Sequence, residues 1–411
     1  MSNKSYRGLK LACYSVSVSM SIVGNLPALL FLTFRETFGI SYSMLGLLVF
    51  ICFFVQLVVD LMFSFFSHKF NISKVTKITP VLTFIGLLIY AVWPLLFPDN
   101  AYIGLVVGTI IFSSASGFSE VLISPIIAEI PAENPEHEMS KLHSIYAWGV
   151  VGVIIFSTLF LLAFGSQNWF VLVFIMMLVP VCSVLLFWGT EIPKMETPKR
   201  TSGALGMLKN KGIWLCVICI FLGGSTECTM AQWASGYLEG ALGIPKVWGD
   251  IFGVAMFALM LGLGRTLYAA IGKNIEKVLF AGTIASTICY LVAAVIPVPL
   301  IGLFACAFTG FCSSMLWPGT LVVATDRFPD GGVFIYALMA AGGDFGASVG
   351  PQLVGIITDA ISMNPMAADF AKNTMMTPEQ LGMKVGILVG MLFPLLGIAF
   401  YYNILKTKNK Q

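Results

Sequence analysis

Long apolar runs alternate along the chain with short polar stretches, and Pro, Gly or clustered charge marks most of the joins. A membrane-crossing helix needs about 20 mostly apolar residues. Runs of that length predict twelve helices, over 8–34, 43–66, 76–96, 101–128, 142–165, 168–189, 213–241, 247–271, 277–297, 300–325, 333–360 and 381–404. The only long polar connection is 191–211, with Glu191, Lys194, Glu196, Lys199, Arg200, Lys209 and Lys211. It divides the chain into halves, 1–190 and 212–411, of six spans each.

The halves echo one another. Gly117-Phe-Ser-Glu-Val-Leu-Ile-Ser-Pro125 returns as Gly310-Phe-Cys-Ser-Ser-Met-Leu-Trp-Pro318. Asn71-Ile-Ser-Lys74-Val75 returns as Asn274-Ile-Glu-Lys277-Val278, and Ile145-Tyr-Ala147 with Gly152 returns as Ile335-Tyr-Ala337 with Gly342. Each echo is short, but the order is kept, as in a duplicated membrane bundle. The expected fold is an all-α membrane protein of twelve transmembrane helices in two pseudo-symmetric six-helix bundles.

Composition agrees. Of 411 residues, 58% are hydrophobic and 10% charged, against about 25% charged in soluble domains. Such a chain cannot coat a globular surface, so lipid is its solvent. A net charge of +3 without a basic stripe gives no footprint for nucleic acid. The nine cysteines lie in apolar runs and read as packing residues. The N-terminal Lys4, Arg7 and Lys10 precede an apolar run too long for a signal peptide and without an Ala-x-Ala site, so it is expected to stay as the first span. All Lys and Arg except Arg35, Lys246, Lys372 and Lys384 fall on the side of the two termini and the central loop. The positive-inside bias makes that side cytoplasmic, in a plasma (inner) membrane.

The bodies of spans three, six and nine hold no Asp, Glu, Lys, Arg or His away from their ends. Glu120 in span four, Glu227 in span seven and Asp344 in span eleven lie at membrane depth, with no Lys or Arg expected beside them. A charge there costs about 2.5–3.5 kcal/mol on insertion scales. Either these are structural carboxyls hydrogen-bonded to a neighbouring helix, or they line a water-filled cavity and carry protons. Asp344 is flanked by Gly342, Gly346 and Gly350, a close-packing register, which fits a helix contact as well as a site. With no central cation, a neutral polyol or a cation suits the cavity better than an anion.

Candidate substrate contacts are Asn25 beside Pro27, Glu120, Glu227, Gln232, Trp233, Tyr237 and Trp317. The two Trp offer stacking platforms for a sugar ring or, equally, core packing. Gln56 is a weaker candidate. Asp60, Arg265 and His143 lie near predicted cytoplasmic ends and read, with Asp344, as gating or structural groups. The Glu133, Glu136, Glu138 and His137 cluster reads as a solvated loop. No nucleophile motif, metal-ligand spacing or phosphate-binding loop occurs, so no enzyme activity, metal or cofactor is expected.

Twelve spans, two repeated halves and a basic central loop resemble the major facilitator superfamily. That resemblance implies that spans one, four, seven and ten line a cavity and three, six, nine and twelve stand outside. Within it, Ser119-Glu120 to Pro125, Leu142-His143-Ser-Ile-Tyr146-Ala-Trp-Gly149, Glu227 with Trp233 and Tyr237, and Gly346 to Pro351 are similar to the fucose/hexose permease-like branch. The branch implies proton coupling through an acid in span one and a Glu in span four. Glu120 matches the second; the first is absent, Asn25 being the nearest polar group, and Glu227 is the other candidate. Of the superfamily's loop signature only Asp60 is matched. The expected activity is secondary transport by rocking of the two halves: proton-coupled symport of a sugar or similar polyol, or export of a cationic or amphipathic compound. The expected partners are a small-molecule substrate, H⁺ and the bilayer, with the protein a monomer.

Overall fold

The computed structural model describes residues 3–66, 69–131, 135–193, 207–329 and 332–408. Among them the chain is helical and holds no strand. The twelve spans are Asn3–Leu29 continued by Phe31–Phe38, Tyr42–Phe66, Ile72–Leu96, Ala101–Ala128, Pro135–Phe164, and Trp169–Met176 with Leu178–Trp188. The second six are Lys211–Gly240, Lys246–Ile271 in three pieces, Ile275–Val295, Pro299–Ser313 with Leu316–Arg327, Gly332–Ser362, and Pro378–Gly390 with Leu392–Lys408. Eleven helices among the described residues are long and apolar enough to cross a membrane. Span eleven is 31 residues long and carries Asp344, Gln352 and Asp359.

Prolines set the interruptions. Spans six, ten and twelve break at Met177, at Ser314–Met315 and at Met391, and Pro180, Pro318 and Pro394 follow each break by one turn. A proline lacks the N–H that would close the turn, and its ring crowds the carbonyl four residues back. Pro125 is tolerated inside the unbroken helix Ala101–Ala128. Span eight opens with a π-helical segment, Gly249–Ala255.

The chain forms two compact units, Met1–Thr33 with Phe54–Thr201, and Phe34–Phe53 with Ser202–Gln411. In the first unit, spans three and four approach at Gly86 and Gly108. A Cβ on Gly86 would lie 2.7 Å from the Phe112 nitrogen, and one on Gly108 would lie 2.7 Å from the Gly86 oxygen. Small residues at such crossings let backbones touch, the main source of helix association in lipid. Span one is tied to span five by Ser21, whose hydroxyl donates to the Tyr146 carbonyl at 2.9 Å, and to span six by Ser15 and Ser183 at 2.7 Å.

Glu138 is no merely solvated loop residue. Lys10 reaches its carboxylate at 2.8 Å and the Tyr14 hydroxyl donates to it at 2.9 Å. The Lys10 hydrogen bond first, then that of Tyr14, hold its pKa below the usual carboxylate range. The bridge's contribution is therefore complete above the ordinary Glu value of about 4.3 and is lost as pH falls through the lower, folded value. Glu138→Gln is expected to cost at most about 1 kcal/mol at neutral pH. The difference in melting temperature between the variant and the parent should vanish below that folded value. A gap that persists in acid would show that something other than the charge is lost.

In the second unit, aromatic donors join helices through backbone carbonyls. Tyr237 donates to Ala293 at 2.6 Å, Tyr290 to Thr226 at 2.7 Å, Tyr401 to Cys219 at 2.7 Å, and the Trp233 indole to Pro351 at 2.8 Å. Spans seven and eleven meet along the Gly342, Gly346 and Gly350 register. A Cβ on Gly346 would collide with the Phe221 carbonyl, and one on Gly350 would lie 3.0 Å from the Ser225 oxygen. Phe34–Phe53 packs here as well. Asp359 of span eleven accepts from the Tyr42 and Ser43 amides at 3.1 and 2.6 Å, capping span two, and Arg35 lies over the Tyr42 ring at 4.0 Å. A carboxylate at a helix N-terminus satisfies orphan amides and meets the positive end of the helix dipole.

Candidate functional site

Span seven carries Glu227 with only 13% of its side chain exposed. Span eight brings Arg265 to it: one terminal guanidinium nitrogen, Nη2, lies 3.1 and 3.3 Å from the two carboxylate oxygens. The Arg265 Nε donates to the Ser314 carbonyl at 3.1 Å. That acceptor exists because of the repeated motif. Pro318, four residues on, has no N–H to return to Ser314, and span ten breaks there. Gly264 lets span eight come close enough, since a Cβ on it would strike the Ser314 hydroxyl. Pro318, Gly264 and Arg265 thus form one local device that aims a guanidinium at Glu227.

This overturns the expectation that the membrane-depth acids have no cation beside them. Depth judged by position along a helix ignores the reach of an Arg side chain. It also ignores a carbonyl released in mid-membrane, which draws that side chain inward. Arg265, expected at a helix end, is 44% exposed and pairs with Glu227.

Trp317 is half-buried, with its ring laid on Gly343 of span eleven and touching the space over Gly224. Trp233 and Tyr237 are 2% and 1% exposed, and their polar atoms are spent on Pro351 and Ala293. Neither presents a face to a ligand in this arrangement: they fasten helices together. Gln232 and Asp344 are buried as well.

In the first unit, Glu120 is exposed on span four and makes no hydrogen bond or ion pair among the described residues. Asn25 is half-buried and donates to the Ser21 carbonyl at 2.9 Å, one turn back in its own helix. Gln56 accepts from Ser116 at 3.3 Å, and Asp60 is 4% exposed, inside the packing rather than on a rim. The side chains of His143, Glu133, Glu136 and His137 lie outside the described residues. No group of His, Cys, Asp and Glu suited to a metal occurs among the described residues.

Two polar centres escaped the sequence reading. One is Asp250, 1% exposed, hydrogen-bonded by Ser235 at 2.5 Å and paired with Lys246 at 3.1 Å where spans seven and eight begin their turn. The i, i+4 spacing of Lys246 and Asp250 was a usable signal. The other is the Asp359 cap, which joins residues far apart in sequence and leaves no local mark.

No curated protein matches the chain by sequence. Solved structures share its fold across nearly the whole length. A bacterial homologue of the human lysosomal transporter Spinster, in an inward-facing, unoccupied conformation, superposes with a TM-score of 0.76 at 14% identity, covering 100% of this chain and 99% of that one. The nucleoside transporter NupG gives 0.72 at 13% identity, covering 97% and 99%. The E. coli fucose:proton symporter FucP gives 0.56 at 14% identity, covering 96% and 99%. A sequence model of the Major Facilitator Superfamily matches residues 11–351. With twelve helical spans, paired ionisable groups at membrane depth and a family match over most of its length, the chain belongs to the Major Facilitator Superfamily and is a transporter, not an enzyme.

Proposed function

We propose that the protein is a proton-coupled symporter of a sugar or similar polyol, working by alternating access of its two six-span halves in a plasma (inner) membrane with both termini cytoplasmic. Glu120 carries the reading. An exposed carboxyl on a membrane-spanning helix is costly to keep, and this one makes no hydrogen bond or ion pair among the described residues. Loading and releasing a proton does account for it. Asn25 and Trp317 are the substrate contacts still open, each half-buried, while Glu227 acts together with Arg265. A fucose:proton symporter and a nucleoside transporter among the similar folds support a hydroxyl-rich substrate. The cation-exporter alternative is weakened because Arg265 neutralises Glu227, one of the acids that would serve as a cation site.

The test is uptake into proteoliposomes. Among labelled hexoses, polyols and sugar acids, at least one should accumulate when the exterior is acidic, and a protonophore should abolish the accumulation. If none moves under any pH gradient, sugar symport is wrong.

A further inference from the structure

We propose that the transported sugar carries a carboxylate, that Arg265 is its anchor, and that Glu227 takes up the proton that co-binds. The inference rests on the sugar-symport reading and narrows its substrate class to sugar acids.

A guanidinium has five N–H donors in a planar fork. In Arg265 the side-on edge is in use: Nε holds the Ser314 carbonyl and Nη2 spans both Glu227 oxygens. The other terminal nitrogen, Nη1, has no partner among the described residues, and the side chain is 44% exposed. The Nη1 half of the end-on edge is therefore open, while Glu227 occupies the Nη2 half, being held through that single nitrogen rather than fork to fork. Once Glu227 is protonated and lets go, Nη1 and Nη2 together are suited to two parallel N–H···O bonds with a carboxylate.

A neutral polyol would not call for this arrangement. Hydroxyls can be read by Asn or Gln without the desolvation of an ion pair. The contrast is in strength as well: hydrogen bonds to a charged partner are about twice those between neutral groups.

Charge conservation then ties substrate to proton. Arg265 and Glu227 together are neutral. Adding one carboxylate leaves an uncompensated negative charge at a depth where any net charge is costly. One proton on Glu227 restores neutrality and releases Arg265 to the incoming anion. The groups that face this centre point the same way. Cys228 is the next residue along span seven, and the ionisable group that span eleven contributes to this unit at membrane depth is Asp344, an acid. None of them adds a second cation.

The experiment is titration calorimetry on the full chain in detergent, with D-glucuronate, D-gluconate and D-glucose at pH 5.5 and 7.5. Both acids remain ionised across that range. The parent should bind an acid more tightly at pH 5.5 than at 7.5, by up to about a hundredfold, the limit set by uptake of one proton across two pH units. Glu227→Gln should bind the acid equally well at both values, at the level of the parent at pH 5.5. Arg265→Gln should lose acid binding at both, and Arg265→Lys should recover part of it. If glucose binds and the acids do not, or if Arg265→Gln leaves acid binding intact, the carboxylate assignment is overturned while sugar symport stands. If neither acid nor glucose binds, and neither moves protons in proteoliposomes, both fail. Should Arg265→Gln not fold, Glu227→Gln decides alone: acid binding that keeps its pH dependence in that variant overturns the assignment.

Discussion

Glu120→Gln is expected to abolish uphill accumulation of substrate while leaving exchange of labelled for unlabelled substrate near the parent rate. Glutamine keeps the size and most of the hydrogen-bonding capacity of the acid but cannot take up a proton. Glu120 is exposed on span four and makes no hydrogen bond or ion pair among the described residues, so the substitution breaks none of those. One pH unit across the membrane is worth about 1.4 kcal/mol per proton, which sets an accumulation of about tenfold for one coupled proton. In the variant the ratio should fall to about one. Counterflow requires only that the loaded carrier reorient, and it should survive because the amide mimics the protonated acid. Accumulation equal to the parent's would remove Glu120 from the mechanism. Loss of counterflow together with accumulation would make it a binding residue and leave proton coupling to Glu227 alone.

Gly346→Val is expected to be the most damaging single change to the fold. A Cβ at that position meets the Phe221 carbonyl and lies 3.0 Å from the Ser225 nitrogen. Both are backbone atoms in a helix and cannot swing aside as a side chain can. Spans seven and eleven must separate, which also stretches the 3.0 Å bond from the Ser225 hydroxyl to the Gly346 carbonyl. Overpacking typically costs about 1–3 kcal/mol, and interhelical hydrogen bonds in membranes average about 0.6 kcal/mol. A clear drop in melting temperature in detergent, with reduced yield from the membrane, is the expected reading. Gly152→Ala is the control. Gly152 is the sequence echo of Gly342, yet nothing lies within 4 Å of its would-be Cβ, and alanine favours a helix by up to about 1 kcal/mol. Equal destabilisation by both variants would mean that the Gly346 crossing is not what holds the spans together.

That pair of glycines shows where sequence and structure part. The echo of Ile145-Tyr-Ala147 and Gly152 in Ile335-Tyr-Ala337 and Gly342 marks the repeat correctly, but one glycine is packed and the other open. A repeat records descent of the backbone and says nothing of which neighbour each copy has kept. The twin motif ending in Pro125 and Pro318 behaves the same way. One copy stays helical; the other breaks at Ser314–Met315 and gives Arg265 its acceptor.

By itself the sequence determined the helical class, the twelve spans and most of their ends, because hydropathy, proline and glycine act over a few neighbouring residues. It also determined the Gly342, Gly346 and Gly350 contact face, since small residues at that spacing share one side of a helix. Only the tertiary structure decided that Arg265 neutralises Glu227, that Trp233 and Tyr237 are fasteners, and that Phe34–Phe53 packs with the second unit under the Asp359 cap. These depend on which carbonyl is left free and which helix lies alongside. Such pairings are fixed by packing across long separations in the chain, and local pattern does not encode them.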